Sequence, residues 1–295
     1  MNRELHKVAF VGTGVMGSSM AGHLLDRGFE VSVFTRTQEK AEGLVSRGAV
    51  WKASAGEAAR GADVVITMVG YPKDVEEVYL GDNGILKNAE KGAFLIDMTT
   101  STPTLAKQIY LQAKEHGLHS LDAPVSGGDI GAREARLTIM VGGDKDAFAA
   151  CQPIFQAFGS NIIHQGEAGA GQHTKMCNQI AIATNMIGVC EALAYAETAG
   201  LDPEDVLKSI SSGAAGSWSL SNLAPRIIAG NFEPGFFVKH FIKDMEIALD
   251  EADKMGLEVP GLSLAREMYV KLSASGEENS GTQALYKLFQ KGSAN

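Results

Sequence analysis

Apolar residues follow two different rhythms along the chain. In the first half, short apolar runs, often β-branched, at 8–11, 31–34, 64–69, 93–96 and 137–141 are bounded by Gly, Pro or polar residues, which is the pattern of strands. Between them, apolar positions recur at helical spacing near 16–27, 38–46, 75–80, 103–116 and 145–158. Nearly continuous apolar strands, alternating with helices, predict a parallel sheet covered on both faces: an α/β, doubly wound Rossmann domain.

The second half has no good strand candidate. From Gly171 to Ala199 the spacing predicts one long helix stopped by Gly200, roughly 40 Å long at the helical rise. Its apolar residues surround it through 180–194, which predicts a buried central helix. Further helices are expected at 203–212, 217–229, 237–255, 260–273 and 283–290. The glycine-rich run GEAGAG at 166–171 interrupts the pattern, so the expected domains are 1–166, binding a dinucleotide, and 167–295, all-helical.

Composition narrows the function. With 295 residues, 45% of them hydrophobic, the chain can bury two substantial cores. A net charge of −9 lacks the footprint of a nucleic-acid binder and disfavours anionic membrane surfaces. Three cysteines make neither a disulfide framework nor a metal spacing; Cys177 and Cys190 read as packed thiols. His164 and His240 have no partner at metal-ligand spacing, so no metal is expected. The longest uncharged apolar run, 176–190, is short for a membrane span, and no signal-peptide pattern precedes the first strand; the expectation is a cytoplasmic protein.

The first candidate chemistry is the loop Gly12-Thr13-Gly14-Val15-Met16-Gly17, a GxGxxG with a strand before it and a helix after it. Gly12 permits the tight turn, Gly14 lets backbone approach a pyrophosphate, and Gly17 lets helix and strand pack closely. The second strand ends in Thr35-Arg36-Thr37, without the acidic residue that usually holds the ribose 2′-hydroxyl of NAD. Arg36, with the two threonine hydroxyls and Lys40, suits a 2′-phosphate, so NADP is expected ahead of NAD. Solvated charges at a helix entry are the alternative.

Two further segments stand out. In Gly169-Ala-Gly171-Gln-His-Thr-Lys175-Met-Cys-Asn178-Gln179, Lys175, Asn178 and Gln179 share one helix face. A lysine carried into a dry cleft has its pKa lowered and becomes a usable proton donor or acceptor. A solvated first turn is the bland reading, and this segment alone does not choose. In Asp122-Ala-Pro124-Val-Ser126-Gly127-Gly128, consecutive small residues leave backbone N–H groups open to an anion and Ser126 adds a hydroxyl, which suits a carboxylate; a flexible turn is the alternative.

Taken in order, the GTGVMG loop, Asp97-Met-Thr99-Thr100, DAPVSGG, Lys175-Met-Cys-Asn178-Gln179 and Ile242-Lys243-Asp244 resemble the signature blocks of the β-hydroxyacid dehydrogenases, the group that includes 3-hydroxyisobutyrate dehydrogenase and tartronate semialdehyde reductase. The blocks cover nearly the whole chain. The resemblance implies a Rossmann domain followed by an all-helical domain like the C-terminal domain of 6-phosphogluconate dehydrogenase. It makes Lys175 the catalytic acid/base, gives Ser126, Gly127 and Gly128 the substrate carboxylate, and puts Asn178 and Gln179 at the substrate. Thr100, Met68, Val69 and Lys243 become cofactor contacts, with Asp244 supporting the helix of Lys243. It also implies a homodimer or homotetramer and a small carboxylate substrate.

Four positions depart from the family pattern: Gln179 stands where relatives often have asparagine, Ala135 where many have glycine, Tyr71 after the fourth strand where a smaller residue or Leu-Pro is typical, and Trp218 after Gly216-Ser217. Trp218 is read as a wall of the substrate pocket or as a core residue. The rival readings are a 6-phosphogluconate dehydrogenase, which Cys177 in place of histidine opposes, an imine reductase, which Lys175 opposes, and a non-catalytic dinucleotide-binding sensor or scaffold.

Overall fold

The computed structural model describes residues 5–290, and these divide after Lys175 into two compact units. The expected boundary at 166/167 lies earlier, because the first turns of the long helix bond to the first unit.

The first unit is built on one sheet: β1 (Lys7–Val11), β2 (Glu30–Phe34), β3 (Val50–Trp51), β4 (Val64–Thr67), β5 (Phe94–Asp97), β6 (His119–Asp122), β7 (Val125–Ser126), β8 (Leu137–Gly143) and β9 (Gly159–Gly166). Their order is β3-β2-β1-β4-β5-β6-β8-β7, with β9 on β8. The strands from β3 across to β6 are parallel, as expected. The sheet as a whole is mixed, because β8 runs antiparallel to β6 and β7. The link 127–136 between β7 and β8 is shorter than the dozen or more residues that a parallel crossover takes.

Burial on both faces explains the nearly continuous apolar strands. Val8, Phe10, Val33 and Ile66 pack with Met20 and Leu24 of the helix Val15–Asp26. Their neighbours Ala9, Val11, Val65 and Leu95 face the opposite layer, against Tyr79 of Pro72–Leu80 and Ile109 of Pro103–Glu115. β9 escaped the hydrophobic pattern because it is an edge strand whose Ser160, Asn161 and Gln165 are exposed. Two expected helices are each split in two: 145–158 becomes Lys145–Ala150 and Gln152–Phe155, and 217–229 becomes Trp218–Asn222 and Ala224–Ile228. Pro153 and Pro225 stand in the first turn of the later piece, where a missing N–H costs nothing.

Ala135 has φ +53°, the left-handed conformation in which relatives' glycine would be unstrained. Alanine there holds a backbone conformation that costs it some strain.

The second unit is helical, formed by the rest of the long helix Ala170–Thr198 with Pro203–Ile210, Val238–Lys254, Pro260–Leu272 and shorter pieces. Its core gathers Met186, Cys190, Leu193, Phe241, Met245 and Tyr269. Phe241 and Tyr269 meet edge to face at 5.0 Å, and the Tyr269 hydroxyl donates to the Thr282 carbonyl at 2.8 Å.

By length and composition the long helix could cross a membrane, but Met186, Cys190 and Leu193 pack it into the helical core. It is not buried all round, as its composition suggested. Cys177, Ala181, Thr184, Gly188, Glu191 and Tyr195 form an exposed stripe, in which Ala181, Thr184 and Gly188 are too small to demand burial and Glu191 is charged. Cys177 is therefore a surface thiol, not a packed one, whereas Cys151 and Cys190 are buried and held near 12 by desolvation.

Candidate active site

In an open parallel sheet, ligands bind beyond the carboxyl ends of the strands, where the strand order reverses. Here β1 is followed on one side by β2 and on the other by β4, and the glycine loop leaves β1 at that point. Gly12 donates its N–H to the Phe34 carbonyl at 2.8 Å, and Met68 donates to Val11 at 2.9 Å. These bonds bring residues 12–17, 35–37 and 68–69 to one edge. Gly12 has φ +100°, and a Cβ on it would overlap the Met68 carbonyl. A Cβ on Gly17 would overlap the Gly12 carbonyl oxygen, so helix and strand touch through these two glycines. A Cβ on Gly14 would meet nothing within 4 Å. Gly14 begins a helix with no side-chain cap and no acidic residue in its first turn. Open space in front of uncapped N–H groups fits a pyrophosphate.

Arg36 is 76% exposed beyond β2, and its Nη1 lies 3.3 Å from Oδ1 of Asp74, which is 9% exposed. The other Asp74 oxygen accepts the Tyr71 N–H at 3.0 Å. Asp74, which the pattern did not single out, thus holds the guanidinium near the end of β2. Thr35 and Thr37 flank it; Lys40 is exposed, and its carbonyl accepts from the Thr13 hydroxyl at 3.4 Å.

The Ser126, Gly127, Gly128 segment ends β7, which pairs with Thr138 and Ile139. Gly127 and Gly128 both have positive φ, +127° and +63°, which a side chain would oppose. Ser126 is half-buried and Gly127 exposed.

Between these two places runs a buried polar network. Asp97 Oδ1 accepts the Thr67 hydroxyl at 2.7 Å and the Thr99 N–H at 3.1 Å, while the Thr99 hydroxyl accepts the Val69 N–H at 3.0 Å. Asp122 accepts the N–H groups of Gly169 (2.7 Å) and Gln172 (2.8 Å) at the start of the long helix. Burial pushes both carboxyls up to about 6, against the pull of these donors. A Cβ on Gly171 would overlap Asp122 and Met140 backbone oxygens, and one on Gly142 would stand 2.7 Å from Gly171 N, which accounts for glycine at both positions. Lys175, one turn beyond Gln172, is 7% exposed. The solvated-turn reading of Lys175 is thereby excluded.

Within the second unit, Asn178 Nδ2 donates to Gln179 Oε1 and Gln179 Nε2 to Asp244 Oδ2, both at 2.7 Å; Lys243 Nζ lies 3.0 Å from Asp244 Oδ1. Asn178, Gln179 and Lys243 are therefore linked through Asp244. Gln179 is fully buried with both ends of its amide engaged, so it supports Asn178 and does not present itself to a ligand. Trp218 opens the helix Trp218–Asn222 and is 66% exposed, which removes the core-residue reading. Among the described residues no His, Cys, Asp and Glu cluster could hold a metal.

Comparison with known proteins agrees with this geometry. Residues 7–166 match the family model of the NAD binding domain of 6-phosphogluconate dehydrogenase. Residues 169–289 match that described as NAD-binding of NADP-dependent 3-hydroxyisobutyrate dehydrogenase. An uncharacterized oxidoreductase of Bacillus subtilis is 66% identical, over 96% of this chain and 99% of its own. An NAD-dependent L-serine dehydrogenase of Pseudomonas aeruginosa is 37% identical, over 97% and 98%. The solved 3-hydroxyisobutyrate dehydrogenase of Mycobacterium tuberculosis with L-serine superposes with a TM-score of 0.90 at 32% identity, covering 97% of this chain and 100% of that one. Imine reductases share the fold alone, at 15–23% identity.

Proposed function

The chain belongs to the β-hydroxyacid dehydrogenase family, and from that premise we propose that it interconverts a short β-hydroxyacid and its semialdehyde with NADP(H). It is an NAD(P)-dependent oxidoreductase; the substrate, the cofactor preference and the roles below are the proposal. The observation that carries it is Lys175, a buried lysine one turn along a helix whose start is bonded to the strand ends of the dinucleotide-binding sheet.

The nicotinamide, when bound, supplies the hydride for reduction or accepts it in oxidation. The residues of this chain do the rest. The Ser126 hydroxyl and the backbone N–H groups at 127–128 hold the substrate carboxylate and so present one face of the carbonyl. As the carbonyl carbon gains its new C–H bond, the C=O π pair moves onto oxygen, and Lys175 Nζ delivers a proton there, so no free alkoxide accumulates. In oxidation the neutral amine takes the hydroxyl proton. Asn178, steadied by Gln179, orients the substrate oxygen.

Two results test the reading. Losing the carboxylate removes charge-assisted bonds worth about 3 kcal/mol. We therefore predict that methylmalonate semialdehyde is preferred to isobutyraldehyde by roughly 10²-fold in kcat/KM; equal efficiencies would exclude the clamp. For the cofactor, Arg36→Ala is expected to lower kcat/KM for NADPH by about 10–100-fold, the value of one charged bond, and that for NADH by less than about threefold. Equal losses with both cofactors, or none, would show that Arg36 reads no 2′-phosphate.

A further inference from the structure

The side chain of Gln172 has no place in the chemistry above, yet it is fully buried and uses both ends of its amide. Its Nε2 donates to the Thr99 carbonyl at 2.7 Å, and its Oε1 accepts the Ser101 N–H at 3.0 Å. Its own backbone N–H is held by Asp122. Thr99 in turn is fixed from the other side, by Asp97 on its N–H and by Val69 on its hydroxyl. One amide thus joins the loop 99–101, beyond β5, to the helical turn that carries Lys175. Residues three apart lie on the same helix face, so the joined turn and Lys175 share one side of the helix.

We propose that Gln172 is a positioning residue that sets Lys175 against the cofactor-side loop, and so sets the distance over which its proton travels. This rests on the acid/base reading of Lys175. An amide is required at this position because the loop offers one acceptor and one donor, Thr99 O and Ser101 N. A carboxylate meets only the second, and an apolar side chain meets neither. Leaving those two buried backbone groups without partners loosens the joint, and a displacement of about 1 Å in a catalytic group is enough to cost on the order of 10²-fold in rate.

The test is a double-mutant cycle in single turnovers with saturating NADPH and enzyme in excess, comparing the wild type, Gln172→Met, Lys175→Met and the double variant. The expected result is a loss of about 10–100-fold on Gln172→Met in the wild-type background, NADPH Kd within about threefold, and no further loss in the Lys175→Met background. An equal loss in both backgrounds would assign Gln172 a merely structural role, and no loss in either would remove any role; both overturn the proposal. If Lys175→Met itself keeps the wild-type rate, the acid/base reading has failed instead, and the two failures are told apart.

Gln172→Glu gives a second readout that does not depend on the methionine variant folding well. Its rate relative to wild type should recover as pH falls and the new carboxyl gains a proton to donate to Thr99 O. A ratio independent of pH counts against the amide's donor end and overturns the proposal.

Discussion

A Lys175→Met enzyme is expected to lose about 10²–10⁴-fold in kcat for aldehyde reduction, the usual contribution of a positioned general acid. Methionine matches the length of the lysine stem, so the core around this 7% exposed position stays filled. Cofactor affinity is expected to stay within about threefold, because the pyrophosphate and 2′-phosphate contacts assigned to 12–17 and Arg36 depend on other elements. Stopped-flow reduction with NADPH, beside fluorescence titration of NADPH, separates the two quantities. Wild-type turnover in this variant would remove Lys175 from the chemistry.

The second large effect concerns two glycines three residues apart in one loop. A Cβ at Gly17 overlaps the Gly12 carbonyl and stands 3.0 Å from the Phe10 ring, so Gly17→Ala must push helix Val15–Asp26 off β1. Overpacking of this kind costs typically 1–3 kcal/mol, and more where backbone meets backbone. Gly14→Ala meets open space and should change stability by less than about 1 kcal/mol. Its methyl group instead enters the space assigned to the pyrophosphate, so NADPH Kd should rise by at least about tenfold, which is some 1.4 kcal/mol. Urea unfolding and NADPH titration of both variants test the pair. Equal destabilisation, or unchanged affinity in Gly14→Ala, would contradict the roles drawn for this loop.

Much of this site is legible in the sequence for a physical reason. A dinucleotide loop needs glycine at fixed spacing between a strand and a helix, and those constraints are local, so Gly12, Gly14 and Gly17 can be read without knowing any distant contact. The strands β1, β2, β4 and β5 are equally readable, because burial leaves an apolar run; β3, two residues long with Val50 exposed, carries no such signal. What stayed hidden depends on long-range pairing. β9 is polar because it is an edge, and the antiparallel turn of β8 leaves no periodicity of its own. Asp74 reaches Arg36, and Gln172 reaches Thr99 and Ser101, only after the sheet has brought separate loops together.

Asp122 was within reach: it opens the DAPVSGG block, and the paired glycines at 169 and 171 signal that something must approach that backbone closely. The buried-helix expectation failed in the opposite sense. Ala181, Thr184 and Gly188 fit an apolar pattern yet carry too little side chain to demand burial, so composition overstated what the second core encloses.

The most direct measurement is the initial rate of reduced-cofactor oxidation by the wild-type protein with glyoxylate, succinic semialdehyde and methylmalonate semialdehyde, each with NADPH and with NADH. The account predicts turnover of methylmalonate semialdehyde, the one of the three whose product is a β-hydroxyacid, faster with NADPH. Tight NADPH binding without turnover of any of them would contradict it and favour a dinucleotide-binding sensor on the same scaffold.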